Sequence, residues 1–76
     1  MERTRVESRL VTSIGYDAAT SVLEIEFHDG DVYRYFDFPE FLYKGLMASP
    51  SKGHFCTSRV IGRFRHEQIA MGPPRS

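Results

Sequence analysis

Lys52, Arg59 and Arg63 follow one another at intervals of seven and four residues, so on one continuous helix they fall along a single stripe. Lysine and arginine arranged in this way neutralise phosphates of a nucleic-acid backbone and supply affinity independent of base sequence. His54 and Arg65 extend the set, with His66 beyond them. The alternative is a solvated helix face whose charges serve solubility. The charge distribution makes the question worth asking. Residues 1–43 hold nine acids against four bases, whereas residues 44–76 hold six bases against Glu67 alone. Formal net charge is zero, which limits long-range attraction of a polyanion but leaves the local field of the basic half.

Four other groups of residues have types suited to chemistry. If Ser51-Lys52-Gly53 opens a helix, its free N–H groups can hold an anion, with Gly53 allowing close approach. The plainer reading is an N-cap serine in a tight interhelical turn. The spacing of a nucleotide-binding loop is lacking, so ATP is not expected. Tyr33 and Tyr35 suit a platform on which bases stack, or equally a pair of core rings with hydroxyls reaching polar partners. His28, His54, Cys56 and His66 show no zinc-ligand spacing, so no metal and no other cofactor is expected. Cys56 falls in an apolar stripe, which predicts an inert buried thiol rather than a nucleophile. His28-Asp29-Gly30-Asp31 reads as turn chemistry rather than a cation loop. No catalytic signature is found, and the chain is not expected to be an enzyme.

The elements that must position these groups are legible from periodicity. The 76 residues make one small domain, with 41% hydrophobic and 13% aromatic content to fill a single core. Residues 10–16, 21–27 and 31–36 alternate as strands, separated by Asp17-Ala18-Ala19-Thr20 and by His28-Asp29-Gly30. A three-residue second loop with Gly30 left-handed pairs Ile25 with Tyr33 and Leu23 with Tyr35. That register gathers Leu10, Ile14, Leu23, Ile25 and both tyrosines on one side, and sets Arg34 near Glu24 and Glu26 on the other. A two-residue turn would exchange the faces.

Beyond the strands the period changes. Phe38, Phe41, Leu42, Gly45 and Leu46 follow a helical apolar face. Pro39 suits its first turn, and Asp37 with Glu40 suits a capping box. Pro50 ends that helix near Ala48. A second helix is expected from about residue 50 to about Ile61, burying Cys56, Val60 and Phe64 with Phe55 and Ile61 at the margins. Gly53 and Gly62 blur its ends. Residues 63–69 read as an extended arm or a further helical turn, and residues 70–76, with Gly72-Pro73-Pro74, as a flexible C-terminal tail.

Several motifs in order resemble one known family. They are Ile14-Gly15-Tyr16-Asp17, then Leu23-x-Ile25-x-Phe27-x-x-Gly30, Val32-Tyr33-x-Tyr35, Phe38-Pro39, Ala48-x-x-Ser51-x-Gly53 and Ile61-x-x-Phe64. Together, over roughly residues 6–67, they look like the KTSC domain. That small bacterial module occurs alone and at the C-terminus of some lysyl-tRNA synthetases. Phe64 departs from a frequent tyrosine, and Cys56-Thr57 from a stretch that commonly contains asparagine. The resemblance implies RNA binding only as a suggestion from the synthetase context, and it carries over no catalytic residue.

The expected fold is therefore α+β: a three-stranded antiparallel meander followed by two helices packed on one face. The expected function is a small non-catalytic module that binds RNA or other nucleic acid through Lys52, His54, Arg59, Arg63 and Arg65. The rival is a protein-interaction module that docks through acidic strands or exposed apolar residues. No membrane span or secretory leader is expected, and the single cysteine fits a reducing cytoplasm.

Overall fold

The computed structural model describes residues 1–72. Its elements are β1 (Thr4–Arg5), β2 (Val11–Asp17), β3 (Val22–Phe27), β4 (Val32–Tyr35), α1 (Glu40–Ala48), α2 (Lys52–Arg59) and β5 (His66–Ala70). The strands form one antiparallel sheet in sequence order. The expected three-stranded meander is its centre, and two strands missed by the sequence reading flank it. β1 is only two residues long, and all five residues of β5 are exposed, so neither carries the alternation that marks a half-buried strand. Residues 66–69, read as an arm or a helical turn, belong to β5, as does Ala70 of the expected tail. Residues 73–76 of that tail lie outside the described residues.

The second hairpin adopts the three-residue loop. Ile25 pairs with Tyr33, Leu23 with Tyr35 and Glu24 with Arg34. Gly30 has φ of 90°, and its N–H donates to the Phe27 carbonyl at 2.9 Å. Val11, Ile14, Leu23, Ile25, Phe27 and Tyr35 therefore face Phe38, Leu46, Cys56 and Val60 in one core. Tyr33 packs against that core half-buried. Along β2 the expected face shifts, because an irregularity between Val11 and Ser13 turns Val11 inward and leaves Thr12 half-exposed.

The opposite face is also partly covered. Glu24, 6% exposed, is flanked by Arg34 Nε at 3.1 Å and Arg3 Nη1 at 3.4 Å. The segment carrying Arg3 crosses so near Gly15 that a Cβ there would lie 2.5 Å from the Glu2 carbonyl oxygen. Ser13 Oγ donates to Glu26 Oε1 at 2.9 Å along the same face.

α1 buries a stripe rotated from the expected one. Leu46 is fully buried and Leu42, Tyr43 and Met47 pack on the core, while Phe41 is 72% exposed. Tyr43 stacks on Tyr16 at 4.7 Å between ring centroids, and the Tyr16 hydroxyl donates to the Phe38 carbonyl at 2.5 Å. Those contacts turn Phe41 outward. The expected capping box is absent: Asp37 has φ of 55°, and Pro39 is the N-cap without a side-chain hydrogen bond. The end at Ala48 is as expected, with Ser49 extended before Pro50.

Gly15→Ala should detach β1 from the sheet, since its methyl group needs space held by backbone. Hydrogen exchange should quicken at Thr4 and Arg5 and the thermal midpoint should fall, with α2 amides keeping their protection. Unchanged exchange at both positions would refute the close approach.

Candidate functional site

α2 opens at Ser51, whose Oγ accepts from the His54 N–H at 3.3 Å. It closes two residues earlier than expected. The N–H groups of Val60 and Ile61 both return to the Cys56 carbonyl, at 3.0 and 2.8 Å, and Gly62 follows with φ of 77°. A left-handed glycine just past the last turn is a common helix stop. The consequence reaches the basic stripe: Lys52 and Arg59 share α2, but Arg63 sits beyond the turn.

The turn nevertheless brings Arg63 back. His54, Arg59 and Arg63 line one shallow depression with Leu42, Ser49, Phe55 and Ser58. No acid lines it, and among the described residues neither arginine forms an ion pair. The Arg59 guanidinium lies 5.8 Å from the centroid of the Phe55 ring, an arrangement that favours a cation while leaving its N–H groups free. Phe55 in turn rests against α1 at Gly45. Glu24, an acid that could have neutralised the set, is spent on Arg3 and Arg34 across the sheet.

Lys52 and Arg65 are placed differently. Lys52 Nζ donates to the Ser49 carbonyl at 3.0 Å and borders a neighbouring depression that shares His54. Arg65 leaves the set: its Nη2 lies 3.8 Å from Asp37 Oδ2, and its guanidinium lies 5.0 Å from the Phe36 ring centroid. The space over Gly53 is also taken. A Cβ there would lie 3.3 Å from both Leu10 Cβ and Ser8 Oγ, so the glycine admits the segment before β2 rather than an anion. Ser51 is the capping serine of the plainer reading.

The tyrosines line a different site that the sequence reading did not assemble. Tyr35 pairs with His66 across β4 and β5, which puts the imidazole on the same face as both phenol rings. The His66 ring centroid is 5.8 Å from Tyr33 and 5.8 Å from Tyr35. These three rings, with Phe27, Ile61 and Gly62, wall a groove of about 410 Å³ rimmed by Arg9, His28, Asp29 and Asp31. The sequence places His66 at the end of the basic stripe or among zinc-ligand candidates, because nothing in its local sequence marks a strand partner for Tyr35. Among the described residues, no three His, Cys, Asp or Glu side chains converge as metal ligands.

Two buried acids near this groove are held neutral. Burial pushes the Cys56 thiol from 9.0 up to about 11. Burial, then the neighbouring Cys56 and Tyr33, push the Tyr35 phenol from 10.0 up to about 12. Cys56 is fully buried, as the apolar stripe led us to expect.

An antiparallel sheet with two helices on one face and a basic turn at the end of α2 defines a small α+β module. The KTSC domain family model matches residues 7–64, and the chain belongs to that family. A solved KTSC domain protein of Yersinia pestis superposes with a TM-score of 0.88 at 35% identity, over 91% of this chain and 97% of that one. A protein of Tsukamurella paurometabola is 37% identical over 60 residues, which is 79% of this chain and 90% of the relative. A lysine–tRNA ligase of Nostoc punctiforme is 34% identical over 64 residues, 84% of this chain but 11% of the ligase. The chain thus spans a small part of the ligases it matches. None of its described helices is long and apolar enough to cross a membrane.

The buried thiol generates a kinetic and a pH prediction. A thiol reagent at neutral pH should label native protein slowly and unfolded protein fast; comparable rates would contradict burial. Cys56 and Tyr35 have folded-state pKa values raised above their ordinary 9.0 and 10.0. Their contribution to stability is complete below those ordinary values and is lost as pH climbs through the raised ones. The thermal midpoint should therefore fall between pH 9 and 12, as calorimetry across that range would read.

Proposed function

We propose that this domain is a small non-catalytic module that binds RNA, or nucleic acid more generally, through the depression bearing Arg59 and Arg63. Lys52 and His54 stand at its side. The observation that carries this reading is the pair of guanidiniums lining one acid-free depression, without ion pairs among the described residues. Arginine presents several N–H donors to phosphate oxygens in a planar fork, and two such groups on a shallow surface suit a flexible strand. The kinship with proteins named as lysine–tRNA ligases fits a partner of this kind. Arg65 is not part of the surface in this reading, since Asp37 and Phe36 engage it. A cytoplasmic setting, where nucleic acid is accessible and a free thiol stays reduced, belongs to the same proposal.

A second reading has its own observation. Phe41 projects from α1 with 72% of its surface exposed, a large apolar side chain suited to a partner protein.

Three cations on a single strand give a log–log salt slope of about −2. Binding of labelled single-stranded RNA should therefore be weak and should fade near physiological salt. The double variant Arg59→Ala/Arg63→Ala should flatten the slope to about −0.7 while leaving the thermal midpoint nearly unchanged, because exposed charges contribute little stability. Titrations at several salt concentrations, wild type beside the double variant, read both quantities. Equal binding by the two proteins, or no binding at low salt, sinks this reading in favour of a protein partner.

A further inference from the structure

The groove walled by Tyr33, Tyr35 and His66 lies just across the Ile61–Gly62–Arg63 turn from the arginine depression. Ile61 and Gly62 line the groove, and Arg63 lines the depression. Its volume of about 410 Å³ is in the range of small-molecule sites, and its walls are largely aromatic. The phenols add polarity. Tyr35 is 3% exposed, and neither its hydroxyl nor that of Tyr33 hydrogen-bonds to any described residue. Among the described residues no buried side-chain nitrogen or oxygen is left unpaired. The Tyr35 hydroxyl must therefore open on the groove, where it can donate to or accept from a ligand.

The rim narrows the choice of ligand. Asp29 Oδ1 accepts from the Asp31 N–H at 2.9 Å, and Asp31 Oδ1 accepts from the Gly72 N–H at 2.7 Å. One oxygen of each carboxylate remains as an acceptor. Two carboxylates disfavour a phosphate in the groove, even with Arg9 at the same rim. A flat, uncharged ring bearing amino donors satisfies the aromatic walls and the free acceptors together.

We propose that this groove receives one unstacked nucleobase of the bound strand. Its face packs on Tyr33 and His66, its edge is hydrogen-bonded by the Tyr35 hydroxyl and the rim carboxylates, and the adjoining phosphates lie at Arg63 and Arg59. This inference rests on the nucleic-acid reading above and adds to it a base subsite. Adenine, cytosine and guanine bring an amino group to the carboxylates; uracil brings none, and binds least well.

The test uses the full chain and two kinds of probe. The first is the uncharged nucleosides adenosine, cytidine and uridine, titrated against amide resonances. Adenosine and cytidine should shift Tyr33, Gly62 and Gln68, and uridine should shift them less. The second is a single-stranded RNA compared with an abasic sugar–phosphate strand of equal length. Tyr33→Leu and, separately, His66→Ala should each weaken the intact strand about five-fold or more. Both should leave the abasic strand and the salt slope unaffected. His66 is exposed, so its variant keeps the readout available should Tyr33→Leu unfold. Equal losses on both strands, or no nucleoside shifts at the groove, overturn the proposal. Salt-dependent binding without discrimination against the abasic strand removes the groove and leaves the phosphate surface standing. Nucleoside shifts without strand binding at low salt do the reverse.

Discussion

The register of the second hairpin is the constraint on which everything else depends. Gly30, at φ of 90°, closes a three-residue loop across which the Phe27 N–H donates to the Asp31 carbonyl at 2.9 Å. Because side chains alternate along a strand, a slip of one residue would send Tyr33 and Tyr35 to the outer face and Arg34 into the core. The observed register does the opposite. It places Arg34 opposite Glu24, where a buried carboxylate needs a cation, and it gives the helices an apolar surface to cover.

The two faces of the sheet consequently carry different physics. On the helix side, Ile14, Leu23, Ile25, Phe38, Leu46, Cys56 and Val60 are sealed from water, and the stabilisation is apolar burial. On the other side the segment before β1 closes over Gly15, and Arg3 and Arg34 share Glu24. That division decides where charge is available. Among the described residues Asp37 meets Arg65 and Glu24 is taken by Arg3 and Arg34, while no acid lines the Arg59–Arg63 depression.

The end of α2 connects fold to site. A helix running on through Ile61 would have kept Lys52, Arg59 and Arg63 on one stripe and would have carried residues 61–63 away from β4. The left-handed Gly62 instead folds the chain back, so that Arg63 borders the arginine depression and Ile61 borders the aromatic groove. The chain then enters β5, which presents His66 to Tyr35. One glycine thus separates two surfaces of different character, one basic and one aromatic, by a single turn.

Sequence alone determined the central hairpin and its register, because alternation in β3 and β4 and the glycine of the loop agree on one solution. It also determined the end of α1 before Pro50, the Ser51 cap and the burial of Cys56, each set within a few neighbouring residues. Tertiary structure decided the rest. β1 and β5 are strands only because a neighbour offers unpaired backbone groups; two residues and a fully exposed pentapeptide hold no periodic signal of their own. Phe41 faces solvent because Tyr43 stacks on Tyr16, a contact between residues far apart in the chain. Arg65 is drawn to Asp37 and Phe36 by the pairing of β5, while Arg63 rejoins Arg59 through a turn that helical spacing could not express. Local periodicity reports which face of an element is apolar; which charges and rings converge depends on how separate elements pair.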